Sequence, residues 1–339
     1  MAQHSTDVVI VGAGPIGLFA VFECGMEKLS CHVVDALEAV GGQCAALYPE
    51  KPIYDIPAHP AITGQELVDK LCQQAAPFKP TFHLNQQVAG LDRDLDTGRW
   101  RVTTSAGTVI DAAAVILAAG SGAFGPNRPP LKGLDAFEGK SVFYMVRRRE
   151  DFRGKRVVIA GGGDSAVDWA LSLAELAAKV SIVHRRAKFR AAPESEARLA
   201  ELAKSGAVDL VTPCQLKAIS GTDGMLDTVT VTDLEGNARD IAADVLLPFF
   251  GLAANLGPIA GWGLTMEGQT VAVDPATCAT SLPGVFAAGD IAYYPGKLKL
   301  ILCGFAEAAQ AAHGARGVAR PGEVVHFAYS TTQGVPQTA

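Results

Sequence analysis

The chain has 339 residues, long enough for two domains of ordinary size. Hydrophobic residues make up 49% and charged residues 19%, which argues against an intrinsically disordered chain. A net charge of −6 argues against general nucleic-acid binding but says little about local patches. The N-terminus enters a strand at once, without a basic stretch leading into an apolar one, so an export signal is not expected.

The apolar run Asp7 to Val11 predicts the first strand. It leads into Gly12-Ala13-Gly14-Pro15-Ile16-Gly17, and Pro15 to Met26 is compatible with a helix. A second strand is expected over 31–35, ending in Asp35. A glycine-rich loop at 41–51 carries Gln43, Cys44 and Tyr48, and a helix is expected near 64–76. Residues 86–110 alternate apolar and polar around Asp96-Thr97-Gly98, which predicts a β-meander. Ala113 to Ala119 reads as a buried strand ending in Gly120-Ser121-Gly122.

The pattern then repeats. Arg156 to Ala160 predicts a strand, followed by Gly161-Gly162-Gly163-Asp164-Ser165-Ala166 and a helix-compatible stretch from Ser165 to Ala178. In both units the next strand ends 23 residues past the first glycine. The first unit has Asp35 there and the second has His184-Arg185-Arg186, with Arg190 close behind. Glycines at such a turn let the backbone approach a pyrophosphate, and the helix N-terminus supplies N–H donors. The strand end meets the adenosine ribose: a carboxylate accepts from free hydroxyls, whereas cations suit a 2′-phosphate. The paired motifs imply one site for FAD or NAD and another for NADP.

A β-rich insert at 208–235 carries the turn Gly221-Thr222-Asp223-Gly224. Val245 to Leu264 is uncharged over about one membrane thickness, but Pro248, Pro258, Asn255 and four glycines break it. A buried strand followed by a loop is expected there. The strand Gly284 to Ala288 ends in Gly289-Asp290, and a helix is expected over about 303–318. A carboxylate at a strand's C-terminal end points into the ligand crevice. Asp290 has no place in the second unit, so the chain should return to the first. The expected layout is an FAD-binding domain of residues 1–122 and 281–339, with an NADP(H)-binding domain of residues 123–280 inserted. The fold class is α/β: two three-layer Rossmann-like domains. The seven cysteines form no CxxC pair and no zinc spacing, which suggests reduced thiols in a cytoplasm and no metal.

The chain resembles ferredoxin–NADP⁺ reductases of the thioredoxin-reductase-like type. The resemblance rests on residues 41–60 (GGQCAALYPEKPIYDIPAHP), 251–264 (GLAANLGPIAGWGL) and 284–312 (GVFAAGDIAYYPGKLKLILCGFAEAAQAA), and covers nearly the whole chain. Thioredoxin reductases keep a redox CxxC shortly before the second glycine motif; residues 139–152 here hold no cysteine. The resemblance implies a homodimer with one non-covalent FAD per subunit, exchanging electrons between NADP(H) and a ferredoxin or flavodoxin. Hydride would pass from NADPH to flavin N5, and single electrons onward. FAD would meet Gly12, Gly14, Pro15 and Gly17 at the pyrophosphate, and Asp35 at the ribose. Gln43, Tyr48, Phe124, Asp290 and Thr331 complete its expected contacts. Tyr48 and Tyr329 would cover the two flavin faces, with Ser330 or Thr331 near N5. NADP would meet Gly161, Gly163, Asp164, Ser165, His184, Arg185, Arg186 and Arg190.

Docking of an acidic ferredoxin needs a local basic surface, with Arg147-Arg148-Arg149, Arg153, Lys297 and Lys299 as candidates. No protein nucleophile or acid–base pair is expected. Rival readings are a flavin monooxygenase, disfavoured because its FxGxxxHxxx stretch is absent, a diaphorase with another acceptor, and a non-catalytic NADP-sensing flavoprotein.

Overall fold

The computed structural model of the chain describes residues 3–146, 148–323 and 330–336, with the side chains of 123–126, 252–254 and 333 outside that set. The chain divides into two compact units. One comprises Met1–Phe124 and Ala254–Ala339, and the other Gly125–Ala253. The second is thus nested in sequence within the first, and the chain returns to the first at Ala254, where the sequence reading set 281. The physical reason is burial. Leu256, Ile259, Leu264 and Val271 pack in one cluster with Val9, Val11, Val115 and Val285 of the first unit's sheet. The strand Thr270–Ala272 also pairs with Ala292–Tyr293.

In the first unit the parallel strands Thr81–His83, Cys31–Val34, Gln3–Val11 and Val109–Leu117 lie side by side in that order. The last strand is shared along its length. Val109–Ala112 pair antiparallel with Trp100–Thr103, while Val115–Leu117 pair parallel with Val285–Ala287. The end of the expected meander and the expected buried strand are therefore one continuous strand, Val109–Leu117. Side chains alternate across the sheet, as strand geometry requires. Val8 and Ile10 face the helices Pro15–Met26 and Ile301–Ala319, while Val9 and Val11 face the opposite layer. The two helices approach closely because their contact is small. Ala20, Ala308, Ala311, Ala312 and Ala315 are each fully buried, and a Cβ on Gly304 would lie 2.5 Å from Ile16 Cδ1. Helix Gly64–Ala75 starts on a capping box between Thr63 and Glu66.

The second unit repeats the plan. Its parallel sheet runs Val208–Val211, Lys179–Val183, Arg156–Gly161, Val245–Phe249. Val157 and Ile159 pack on the helix side with Ala166, Val167 and Leu199. Val158 and Ala160 face Val229, Val231 and Ile241 of the antiparallel strands Cys214–Thr222, Met225–Asp233 and Ala238–Ala242. Helix Asp164–Leu173 stops earlier than its sequence pattern suggests. Val245–Leu247 are buried strand residues, and among the described residues no helix is long and apolar enough to cross a membrane.

Candidate functional site

A cavity of about 430 Å³ opens at the C-terminal ends of the first unit's parallel strands. The glycine turn forms one wall. Gly12 holds φ +109, and a Cβ there would lie 2.3 Å from the Ala118 carbonyl oxygen, so the turn admits no side chain. Gly14, Pro15 and Ile16 face the cavity. Gly17 does not: a Cβ there would lie 1.8 Å from Gly12 O, so its bareness serves helix-on-strand packing.

Asp35 lines the cavity and also fastens the turn. Its Oδ2 accepts from Ala13 N at 2.6 Å and its Oδ1 from Leu37 N at 2.8 Å. Burial pushes the Asp35 pKa up, while those two bonds pull it down. The expected loop at 41–51 contains a short helix, Gly42–Leu47, which brings Gln43 and Cys44 to the cavity. Cys44 is buried and donates through Sγ to Tyr48 Oη at 3.5 Å. Burial, with Cys44 beside it, raises the Tyr48 pKa, so the phenol stays neutral at ordinary pH.

Asp290 faces the cavity from the short turn Gly289–Ile291, and Leu300 and Ile301 from the start of helix Ile301–Ala319. Neither that helix nor Pro15–Met26 has a side-chain cap, so both present free N–H groups at their N-termini. Two uncapped helix starts, a glycine turn and two carboxylates suit a phosphate-bearing cofactor with ribose hydroxyls.

Several expected residues lie elsewhere. Ser330 and Thr331 sit in the exposed helix Ser330–Gln333 and do not line this cavity. Tyr329 and the side chain of Phe124 fall outside the described residues. Lys297 is not a surface cation. Its side chain is 5% exposed and it pairs with Glu307, whose side chain is 4% exposed. It is thereby withdrawn from any docking surface. Arg148 pairs with Asp151, Arg149 with Glu175 and Arg153 with Glu150; Arg147 lies outside the described residues. Lys299 is exposed and lines the cavity. Gln86 and Gln87, which sequence reasoning missed, also line it. Their signal was position: they follow the C-terminal end of the parallel strand Thr81–His83.

In the second unit, helix Asp164–Leu173 begins at Gly163 without a side-chain cap. A Cβ on Gly161 would lie 2.6 Å from Phe249 O. The basic loop folds back on this turn: Arg190 N donates to Gly162 O at 2.6 Å. Asp164 anchors the same loop, accepting from Ala192 N at 3.0 Å. Ser165, Arg185, Arg186 and Arg190 are exposed. The His184 ring instead lies under Gly162 and stacks on Phe189, with centroids 5.3 Å apart and Nε2 buried. Burial lowers its pKa, while Arg185, Arg186, Lys188 and Arg190 are the exposed cations of the loop.

The model of the pyridine nucleotide-disulphide oxidoreductase family matches residues 6–316. The chain belongs to that family. Within it, the chain is 66% identical to the ferredoxin–NADP reductase of Paramagnetospirillum magneticum, over 99% of this chain and all of that one. It is also 66% identical to the ferredoxin–NADP reductase of Rhodospirillum rubrum, over 98% of this chain and 96% of that one. Thioredoxin reductase from Lactococcus lactis is similar in fold, with a TM-score of 0.76 at 24% identity, covering 93% of this chain and 99% of that one. The shared fold is that of two-domain Rossmann flavoproteins, as the sequence predicted.

Proposed function

We propose that the protein is an FAD-dependent ferredoxin–NADP⁺ reductase. What carries the reading is the contrast between like units. Asp35 closes the ribose end of one glycine turn, and Arg185, Arg186 and Arg190 stand at the same point of the other. The names of the close relatives agree with it. In this reading Gly12, Gly14 and Pro15 take the FAD pyrophosphate, Asp35 its ribose and Asp290 its ribityl–phosphate part. Gln43 and Tyr48 border the isoalloxazine. Bound FAD supplies the exchange of an electron pair from NADPH for single electrons to an iron–sulfur carrier.

The chain's own residues bind, orient and exclude water. Tyr48, held by Cys44, offers an apolar ring that stays protonated. The uncapped start of helix Ile301–Ala319 offers N–H donors to negative charge. Gly161, Gly163, Asp164 and Ser165 shape the NADP(H) turn, and the arginines hold the 2′-phosphate. The sequence holds no CxxC pair for a dithiol relay, which weighs against a thioredoxin-type acceptor.

We extend the reading to a cytoplasmic homodimer that accepts ferredoxin or flavodoxin. The exposed Leu298, Leu300 and Leu302, of which Leu300 lines the cavity, support an association surface. Tyr329 is retained as the candidate cover of the second flavin face.

The test is direct. The purified protein should be yellow, oxidise NADPH far faster than NADH, and reduce cytochrome c only when ferredoxin is added. A colourless protein that takes up no FAD, or full cytochrome c turnover without ferredoxin, overturns the proposal.

A further inference from the structure

Glu307 lies at the centre of a buried polar cluster behind the cavity. It is 3% exposed, two turns into the helix Ile301–Ala319. Its Oε2 accepts from Gly289 N at 2.8 Å, and its Oε1 accepts from Tyr294 Oη at 2.7 Å and from Lys297 Nζ. The Lys297 ammonium also lies 5.5 Å from the centroid of the Tyr294 ring. One carboxylate therefore binds three donors that come from both ends of a single loop.

That loop supplies two walls of the cavity. Gly289 immediately precedes Asp290 at one end, and Lys297 immediately precedes Leu298-Lys299-Leu300 at the other. Asp290, Lys299, Leu300 and Ile301 all line the cavity. Glu307 itself is not among the lining residues, and neither are Tyr294 and Lys297. The cluster thus fixes the distance between Asp290 and the start of the helix while touching nothing inside the cavity.

Stability alone is a poor reason for such an arrangement. Desolvating two charges is costly, and well-packed apolar replacements are often neutral or stabilising. A fully satisfied buried network does, however, specify one geometry. We infer that Glu307, with Lys297 and Tyr294, is a positioning residue. It holds Asp290 and the helix start in register for the ribityl and pyrophosphate groups of FAD. The inference rests on the FAD reading given above and adds the residues that set the cofactor's grip from outside its contact shell.

The test compares wild-type holoenzyme with the double variant Lys297→Met/Glu307→Gln, which removes both charges at similar volume. FAD release on dilution is followed by the rise in flavin fluorescence. Unfolding is followed separately by far-UV circular dichroism, and the environment of bound flavin by its visible circular dichroism. The double variant should unfold at or above the wild-type temperature, yet release FAD about tenfold faster or more, with altered visible bands. A folded double variant that releases FAD within about twofold of wild type, with unchanged bands, overturns the inference. Should the double variant not fold, Tyr294→Phe decides. It removes one donor and keeps the ion pair, so release should quicken about threefold, and no change again overturns the inference. Failure of the underlying reading looks different, because the wild-type protein would then hold no FAD at all.

Discussion

Replacing Asp35 with Ala tests whether the carboxylate that meets the ribose also builds the glycine turn. The substitution removes two hydrogen bonds, to Ala13 N at 2.6 Å and to Leu37 N at 2.8 Å. They differ in what is left behind. Ala13 is fully buried, so its N–H finds no water; Leu37 is half-buried and can turn to solvent. A bond to a charged acceptor contributes about 1.5–3 kcal/mol, and a stranded buried donor costs about 1–3. Part of this is offset because the carboxylate is itself desolvated, which is why its pKa is raised. A net loss of about 2 kcal/mol is expected, a fall in melting temperature of roughly 4–8 °C for a domain of this size.

Asp35→Asn keeps one oxygen for Ala13 N but turns an amide donor toward Leu37 N, so it should recover about half of that loss. The assay is thermal unfolding by circular dichroism, paired with FAD release by fluorescence. An Ala variant that melts at the wild-type temperature refutes the structural argument. One that melts lower but releases FAD at the wild-type rate refutes the ribose contact and leaves Asp35 a purely structural residue.

Three further outcomes are expected. Changing Arg185 and Arg186 to Ala should raise the KM for NADPH about tenfold or more and leave NADH nearly unchanged, since each charge-assisted bond contributes about 1.5–3 kcal/mol; equal losses for both nucleotides would contradict the assignment. Lys297→Glu should destabilise the protein by about 3–5 kcal/mol, because it sets a second buried carboxylate against Glu307; a protein of unchanged melting temperature that merely docks ferredoxin poorly would restore Lys297 to the surface. Finally, His32 Nδ1 lies 2.9 Å from His83 Nε2, with the His4 ring tilted against both, its centroid 5.2 and 5.1 Å from theirs. Burial, then His83 and His4, lowers the His32 pKa to about 4, and burial lowers His83 as well. The unfolded chain therefore takes up protons that the folded one refuses. Stability should fall as pH drops from about 6.5 toward 4, seen as a lower urea midpoint that His32→Gln makes less pH-dependent.

How much of this was legible in the sequence follows from the range of the interactions. Both glycine turns, their strands and their helices were readable, because a tight turn feeding a helix is set by residues within a few positions of one another. The opposite charge at the two strand ends was readable for the same reason: a fixed spacing from each turn locates the strand end. The nested layout was inferred from a single residue, Asp290, that had no role in the nearer unit. Tertiary packing decided the rest. The return to the first unit at Ala254 depends on Leu256, Ile259 and Val271 reaching a sheet built mostly from residues before 120, and no local pattern records that. His184 reads as one more cation, yet its ring is taken up by Gly162 and Phe189. Lys297 and Lys299 are indistinguishable as letters two positions apart; the turn of the chain buries one against Glu307 and leaves the other at the cavity rim. A charge's meaning depends on what lies across from it, and for these residues the facing groups come from distant parts of the chain or from the way the loop folds back.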